Sequence, residues 1–257
     1  MSLLNGVDHT LIALVFLGLL VGAAEGAYRR AGRTHPSEEL RSQVATLQAA
    51  LLGLLGLLLA FTFAMSSARY DQRRELVVEE ADAIGTAWLR AMVLDEPARS
   101  GLQELLRRYV DARLGYYEAG ANEGAIAEAV DEALAIEADF WRLAVEQARE
   151  HPDPIRALLL ASLNEVIDLE EERLVALHAR VPDAVVLLLL VVALAAIGAV
   201  GYSFGLARKR HLAATLILSL LVAAIVFVIL DLDRPRRGLI TVSQESLYDV
   251  RESVRAR

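Results

Sequence analysis

The chain has no cysteine in its 257 residues, so disulfides and thiolate metal centres are excluded. Its only lysine is Lys209, and arginine carries the rest of the basic charge. Charge of either sign is missing from four long stretches, Leu11–Ala24, Val44–Ala68, Ala184–Ala207 and Leu212–Leu230. A helix needs about 20 apolar residues to cross a hydrocarbon layer of about 30 Å. The last three stretches reach that length or come within one residue of it, and His9 and Thr10 extend the first to a span flanked by Asp8 and Glu25. Only helices and closed barrels hide their backbone polar groups in lipid, and these runs lack the alternation of a barrel strand. Basic residues are also absent from Met1–Asp8, which favours a span over a cleaved secretory signal. The composition, 55% hydrophobic with a mean hydropathy of +0.40, agrees with an integral membrane protein.

What charge there is falls unevenly. Between Ser66 and Asp183 there are 25 acidic residues against 13 arginines, a formal net of −12, while the remainder of the chain carries +4. An acidic domain between two pairs of apolar helices offers no basic footprint for nucleic acid. The expected fold is an all-α integral membrane protein of four transmembrane helices, with a helical-bundle soluble domain inserted between spans 2 and 3. The expected divisions are 1–68, a hairpin with spans about 9–25 and 44–68; 69–183, the acidic domain; 184–231, a hairpin with spans about 184–207 and 211–231; and 232–257, a polar carboxyl tail.

Within the acidic domain the apolar residues recur at helical spacing. Leu76, Val77, Ile84, Trp88 and Leu89 continue the second span without a break. Asp95-Glu96-Pro97 ends that helix and starts another, since Pro is tolerated in a first turn. Gly115–Gly124 reads as a hinge, Asn122 as the cap of a third helix running to about Glu150, and Asp153-Pro154 as the start of a fourth that reaches Arg180.

Four spans place the amino terminus, the acidic domain and the tail on one side. Near the membrane the basic residues divide seven to the loops against eight to the acidic domain's side, so the basic-residue rule is nearly balanced over the whole chain; the flanks of the first span alone, Asp8 before it and Arg29-Arg30 after it, favour an external amino terminus.

Small residues repeat every four positions at Gly18, Gly22 and Gly26, at Gly56, Ala60 and Ala64, and at Gly201 and Gly205. Such ladders serve close helix packing, or face a pore or a neighbouring subunit. The second span is the best pore candidate, lined by Gly56, Ala60, Phe61, Phe63 and Ala64, because an apolar ring near its domain-facing end can gate by dewetting. A charge cluster is expected where the tail leaves the membrane: Arg69, Asp71, Arg73 and Arg74 at the root of the second span, with Asp231, Asp233, Arg234, Arg236 and Arg237 after the fourth. Carboxylates on the exposed helix faces, Glu79, Glu80, Glu165, Asp168 and Glu172, are weak candidates for a cation site; a solvated acidic face explains them as well. The five histidines, His9, His35, His151, His178 and His211, show no metal-ligand pairing, and no metal or cofactor is expected. Gly201–Gly205 matches G-x-S-x-G, but a nucleophile elbow needs a strand-to-helix turn and this match lies inside an apolar helix. No enzyme is expected.

Three segments, Leu57–Ala91, Leu163–Pro182 and Asp231–Arg251, resemble the bestrophin-like family of bacterial membrane proteins, itself distantly similar to the pentameric bestrophin anion channels. The resemblance implies an oligomeric channel or pore for small ions in the cell (inner) membrane, a homo-oligomer (a pentamer by likeness) whose other partner is the lipid bilayer. It also implies a cytoplasmic acidic domain, against the sidedness drawn from the first span's flanks. The alternative function is a non-conducting membrane scaffold or envelope sensor whose acidic domain binds a partner.

Overall fold

The computed structural model describes residues 9–33, 35, 37–120, 122–233 and 238–256. Among them the regular elements are all helices: α1 (His9–Ala31), α2 (Glu38–Ala91), α3 (Ala98–Glu118), α4 (Glu123–Glu150), α5 (Pro154–His178), α6 (Asp183–Leu206), α7 (Leu212–Leu232) and α8 (Glu245–Arg255). Four of the helical stretches are long and apolar enough to cross a membrane. The chain divides into two compact units, one of residues 1–68 and 180–234, the other of 69–179 and 235–257.

In the first unit α1 packs on both α6 and α7. Its core is apolar and mostly aliphatic, with Phe16, Leu20, Leu55, Leu189, Ile197, Val226 and Ile229 buried. Two of the three small-residue ladders turn out to be uncovered. A Cβ at Gly18, Gly22, Gly26 or Gly56 would meet nothing within 4 Å. The ladder on α6 is the packed one: a Cβ at Gly201 would lie 2.1 Å from the Ala24 carbonyl oxygen, and one at Gly205 2.4 Å from that of Tyr28. Both obstacles are backbone, which cannot rotate away. Gly201→Ala is therefore expected to push α6 off α1 and cost about 1–3 kcal/mol. Gly22→Ala, in open space, is expected to be neutral or to gain up to about 1 kcal/mol of helix propensity. Thermal unfolding of the detergent-solubilised full chain compares the two, and equal melting would count against the close α1–α6 approach.

The second unit begins within α2, which is a single helix of 54 residues. Its core gathers Ile84, Trp88, Leu102, Leu106, Tyr109, Ile136, Phe140, Leu159, Leu163 and Val166. The helix ends follow local chemistry. Asn122 Oδ1 accepts from the amides of Gly124 and Ala125 at 3.1 and 3.2 Å, and Asp153 Oδ1 from that of Arg156 at 2.7 Å, with Pro154 in the first turn. At the start of α3 it is Glu96 whose carboxylate accepts from an amide, that of Ser100 at 3.3 Å. The expected hinge at Gly115–Gly124 is shorter than its glycines suggest, because α3 runs on to Glu118 with Leu114 and Tyr116 buried.

The tail is more than a polar extension. Its residues 245–255 form α8, with Leu247 and Val254 fully buried against the second unit's core. Arg107 Nε donates to the Val254 carbonyl at 3.0 Å, Arg255 pairs with Asp111 at 2.8 Å, and the Tyr248 hydroxyl donates to Glu118 at 2.8 Å. The tail is thereby clamped along α3.

Candidate functional site

At about 100° per residue, α2 presents three different faces along its apolar half. Leu55, Leu59, Thr62 and Ser66 are buried in the first unit, and the Thr62 hydroxyl donates to the Leu58 carbonyl at 2.6 Å. Gly56, Ala60, Phe63 and Ala64 are exposed and fall within an arc of roughly 100°. Phe61, 65% exposed, lies roughly 160° around the helix from Phe63, on a bulky ridge with Leu47, Leu54 and Leu57. Four of the five pore candidates thus share one face, and Phe61 stands on another.

The weak cation candidates separate in the same way. Glu79, Glu165, Asp168 and Glu172 line one open concavity between α2 and α5, together with Asp82 and Asn164. Asn164 donates to Asp168 at 2.6 Å. Among the described residues no group of three or more His, Asp or Glu is close enough to hold a metal ion.

Glu80 points the other way, into the centre of the second unit, and sequence analysis missed what it joins. Arg113 of α3 donates from Nε to Glu80 Oε1 at 2.7 Å and from Nη1 to Glu170 Oε1 of α5 at 2.8 Å. Arg173 of α5 pairs with the second oxygen of Glu80 and donates from Nη2 to Gln244 Oε1 at 3.0 Å, just ahead of α8. The Tyr109 hydroxyl donates to Glu80 at 3.3 Å and also lies against Glu137 of α4. All of these side chains are buried, Glu80 and Tyr109 completely. Tyr109 meets Phe140 edge-on at 5.9 Å, and Arg113 lies over the Tyr116 ring at 5.5 Å.

This network couples five elements, α2, α3, α4, α5 and the start of α8, through hydrogen bonds and charge in addition to their shared apolar core. Two guanidinium groups face three carboxylates. Glu137 is the poorly matched one: its Oε1 has no hydrogen-bond partner. Burial, with the Glu170 carboxylate adding to it, pushes the Glu137 carboxyl up to about 7. Burial also raises the Tyr109 phenol well above its ordinary range. The site can hold one proton near neutral pH; no nucleophile is positioned there.

The expected junction cluster is described only in part, since Arg234, Arg236 and Arg237 lie outside the described residues. Arg73 is buried and donates to the carbonyls of Ala176 at 3.0 Å, in the last turn of α5, and of Ala179 at 2.7 Å, just past its end. Arg69 is half-buried, and Asp71 and Arg74 are exposed. Asp231 is buried at the end of α7. Asp233 caps the segment before α6, accepting from the Val181 amide at 2.9 Å.

The G-x-S-x-G match sits within α6, where Gly201 and Gly205 serve the approach to α1.

Three solved structures share the fold. A crystal structure of a single-substitution variant of a bacterial bestrophin homologue from Klebsiella pneumoniae superposes with a TM-score of 0.70 at 13% identity, over 96% of this chain and 97% of that one. A second variant of the Klebsiella pneumoniae homologue gives 0.67 at 13% identity over 94% and 97%. A crystal structure described as a membrane protein gives 0.65 at 14% identity over 94% and 97%. No curated protein matches the chain. The bestrophin-like domain family matches residues 12–247, from the first apolar helix into α8, and it is not a family of enzymes. With nearly the whole chain accounted for in sequence and an all-helical fold to match, this protein belongs to the bestrophin-like family.

Proposed function

We propose that the chain is one subunit of an oligomeric channel for small ions in the cell (inner) membrane, with α2 lining the pore. In this reading the four apolar helices span the bilayer and the acidic helical unit stands outside it. The observation that carries the proposal is how little of α2 the chain covers for itself. Only 11% of its apolar window is buried, the least of the four, against 17% for α1, 28% for α7 and 44% for the span that ends at Leu206. A helix with a small-residue face and a bulky face both uncovered is suited to stand between a lumen and neighbouring subunits, which lipid alone would not require. The likeness to bestrophin homologues adds to this, and a pentameric ring is what that likeness suggests.

The three faces of α2 make the pore test specific. If the face of Gly56 and Ala60 lines the lumen, Phe63 is the constricting side chain and Phe61 packs against a neighbour. Phe63→Ala should then widen a dewetted constriction and raise single-channel conductance severalfold, while Phe61→Ala should lower assembly or thermal stability and leave conductance unchanged. Planar-bilayer recording with mass measurement of the detergent complex reads both. A ring with ion-selective current supports the channel; a monomer without current would overturn it.

A second reading, a non-conducting scaffold, has one observation in its favour. The concavity of Glu79, Asp82, Glu165, Asp168 and Glu172 is complementary to a cationic partner. Binding of such a partner by a ring that never conducts would favour it.

A further inference from the structure

At one end of the first unit, α1, the close of α6 and the start of α7 enclose a groove. Its floor is apolar: Val21, Ala24, Gly201, Phe204, Leu212 and Leu216. Arg210 is the cation in its lining, beside Glu25 and Tyr28. Arg29 and Arg30 stand in the last turn of α1 and Arg33 just beyond it, and Arg208 and Lys209 precede Arg210 in the turn into α7. All six are exposed.

The turn is held in place rather than loosely draped. Arg208 takes a left-handed conformation, φ 54°, which disfavours a side chain of its kind. The amides of Arg208 and Lys209 donate back to the carbonyls of Gly205 and Phe204 at 3.1 and 3.2 Å. Arg210 is set over the mouth by Glu25, whose two oxygens accept from its Nη2 at 3.1 and 3.2 Å, and by the Tyr28 ring at 5.8 Å. Its Nε and Nη1 have no protein acceptor among the described residues. The His211 ring stacks near Phe204, with centroids 5.1 Å apart.

Glu25 also accepts from Arg29 at 2.7 Å, so one acid serves two arginines. Arg30, Arg33, Arg208 and Lys209 have no acidic partner among the described residues. Two helix carboxyl ends meet here, and their macrodipoles favour cations. One cation at each would satisfy that, and six are present. Glu38 and Glu39 at the start of α2 are followed by Arg41 and leave the excess positive.

We propose that this groove binds an anionic phospholipid, its phosphate held by Arg210 and the neighbouring cations and one acyl chain lying along Val21, Ala24, Leu212 and Leu216. A free anion would satisfy the mouth and leave the apolar floor empty; a zwitterionic lipid would satisfy the floor and carry an ammonium into a cationic mouth. The occupant that fits both is a lipid with net negative charge. The proposal rests on the placement of the apolar helices in a bilayer, and not on conduction.

The test is native mass spectrometry of the full chain purified in detergent and titrated with phosphatidylglycerol or with phosphatidylcholine of the same acyl chains. Retention of phosphatidylglycerol is expected to exceed that of phosphatidylcholine at least tenfold. Arg210→Gln should reduce it about fivefold, as expected for one cation near an anionic headgroup. Leu216→Trp, which fills the floor without touching charge, should lower retention too, while Arg149→Gln, an equal charge loss elsewhere, should not. Circular dichroism of each variant confirms that it folds, and Arg210→Lys should retain most of the binding. Equal retention of both lipids by the wild type would overturn the proposal. So would displacement of bound phosphatidylglycerol by millimolar inorganic phosphate, which would make the site one for free anions. Because no current is measured, failure here leaves the pore reading standing, and a chain that never conducts can still pass.

Discussion

Replacing Arg113 by Met is expected to destabilise the second unit by about 3–5 kcal/mol, the scale for removing one partner of a buried ion pair. The loss comes less from the pair's net worth than from what is left behind. Glu80 keeps Arg173 and the Tyr109 hydroxyl, whereas Glu170 loses the Arg113 Nη1 donor while remaining 95% buried. Two tryptophans, Trp88 and Trp141, are the chain's only ones. Trp88 lies in the core under the Arg107 guanidinium, 4.7 Å from its ring, so fluorescence during denaturant unfolding of the detergent-solubilised chain reports this unit. Adding Glu170→Gln to Arg113→Met should recover much of the loss, because the orphaned charge is then gone. A wild-type midpoint in the Arg113→Met chain would mean that the network contributes nothing to holding α2, α3 and α5 together.

Much of the fold was legible because the apolar runs are long and the caps are local. Four uncharged stretches demanded long helices, the helical spacing from Tyr70 to Leu94 that continues the second span demanded one continuous α2, which ends at Ala91, and Asn122 and Asp153 cap the helices that were expected to start there. The network was not legible by composition, since charged residues on helices usually face water. Glu79 and Glu80 are adjacent in sequence, yet roughly 100° of helical rotation puts the first in solvent and the second in the core. Asp168 and Glu170 divide in the same way. A signal did exist: Glu80 shares the register of Val77 and Ile84, Arg113 that of Leu106 and Tyr109, and Glu170 and Arg173 that of Leu163 and Val166, all of them buried. Charges of opposite sign at apolar positions of three helices have to meet one another. In α8, Leu247 and Val254 stand on one face seven residues apart, which is also an apolar stripe, but eleven residues with this much charge look like a solvated tail until α3 offers a surface. The ladders show the limit of a motif most directly. Gly18-Gly22-Gly26 and Gly201-Gly205 have the same spacing, and only the second meets another backbone, because spacing fixes a face without saying what lies opposite.

The stability of the second unit is expected to fall as pH rises from about 4.5 to about 7, and Glu137 is the source. Unfolded, its carboxyl titrates at its ordinary value of 4.5; folded, burial and the neighbouring Glu170 carboxylate hold it at about 7. Between those values the unfolded chain has released a proton that the folded one still binds, so each step up in pH favours unfolding. Below 4.5 both forms are protonated and the contribution is complete; above 7 both are ionised and nothing further is lost. The difference corresponds to at most about 3 kcal/mol, at 1.36 kcal/mol per unit. Charge count explains the direction. With Glu137 protonated, Glu80 and Glu170 balance Arg113 and Arg173; with it ionised, three carboxylates share two guanidinium groups in a buried site, and its Oε1 has no protein donor. Glu137→Gln keeps the shape and stays neutral at every pH. In denaturant titrations followed by tryptophan fluorescence, the variant should match the wild type near pH 4.5, exceed it above pH 7, and lose the slope in between. Parallel stability profiles for the two proteins from pH 4.5 to 7.5 would show that Glu137 is ionised and solvated in the folded chain, and the network would then contain no proton to release.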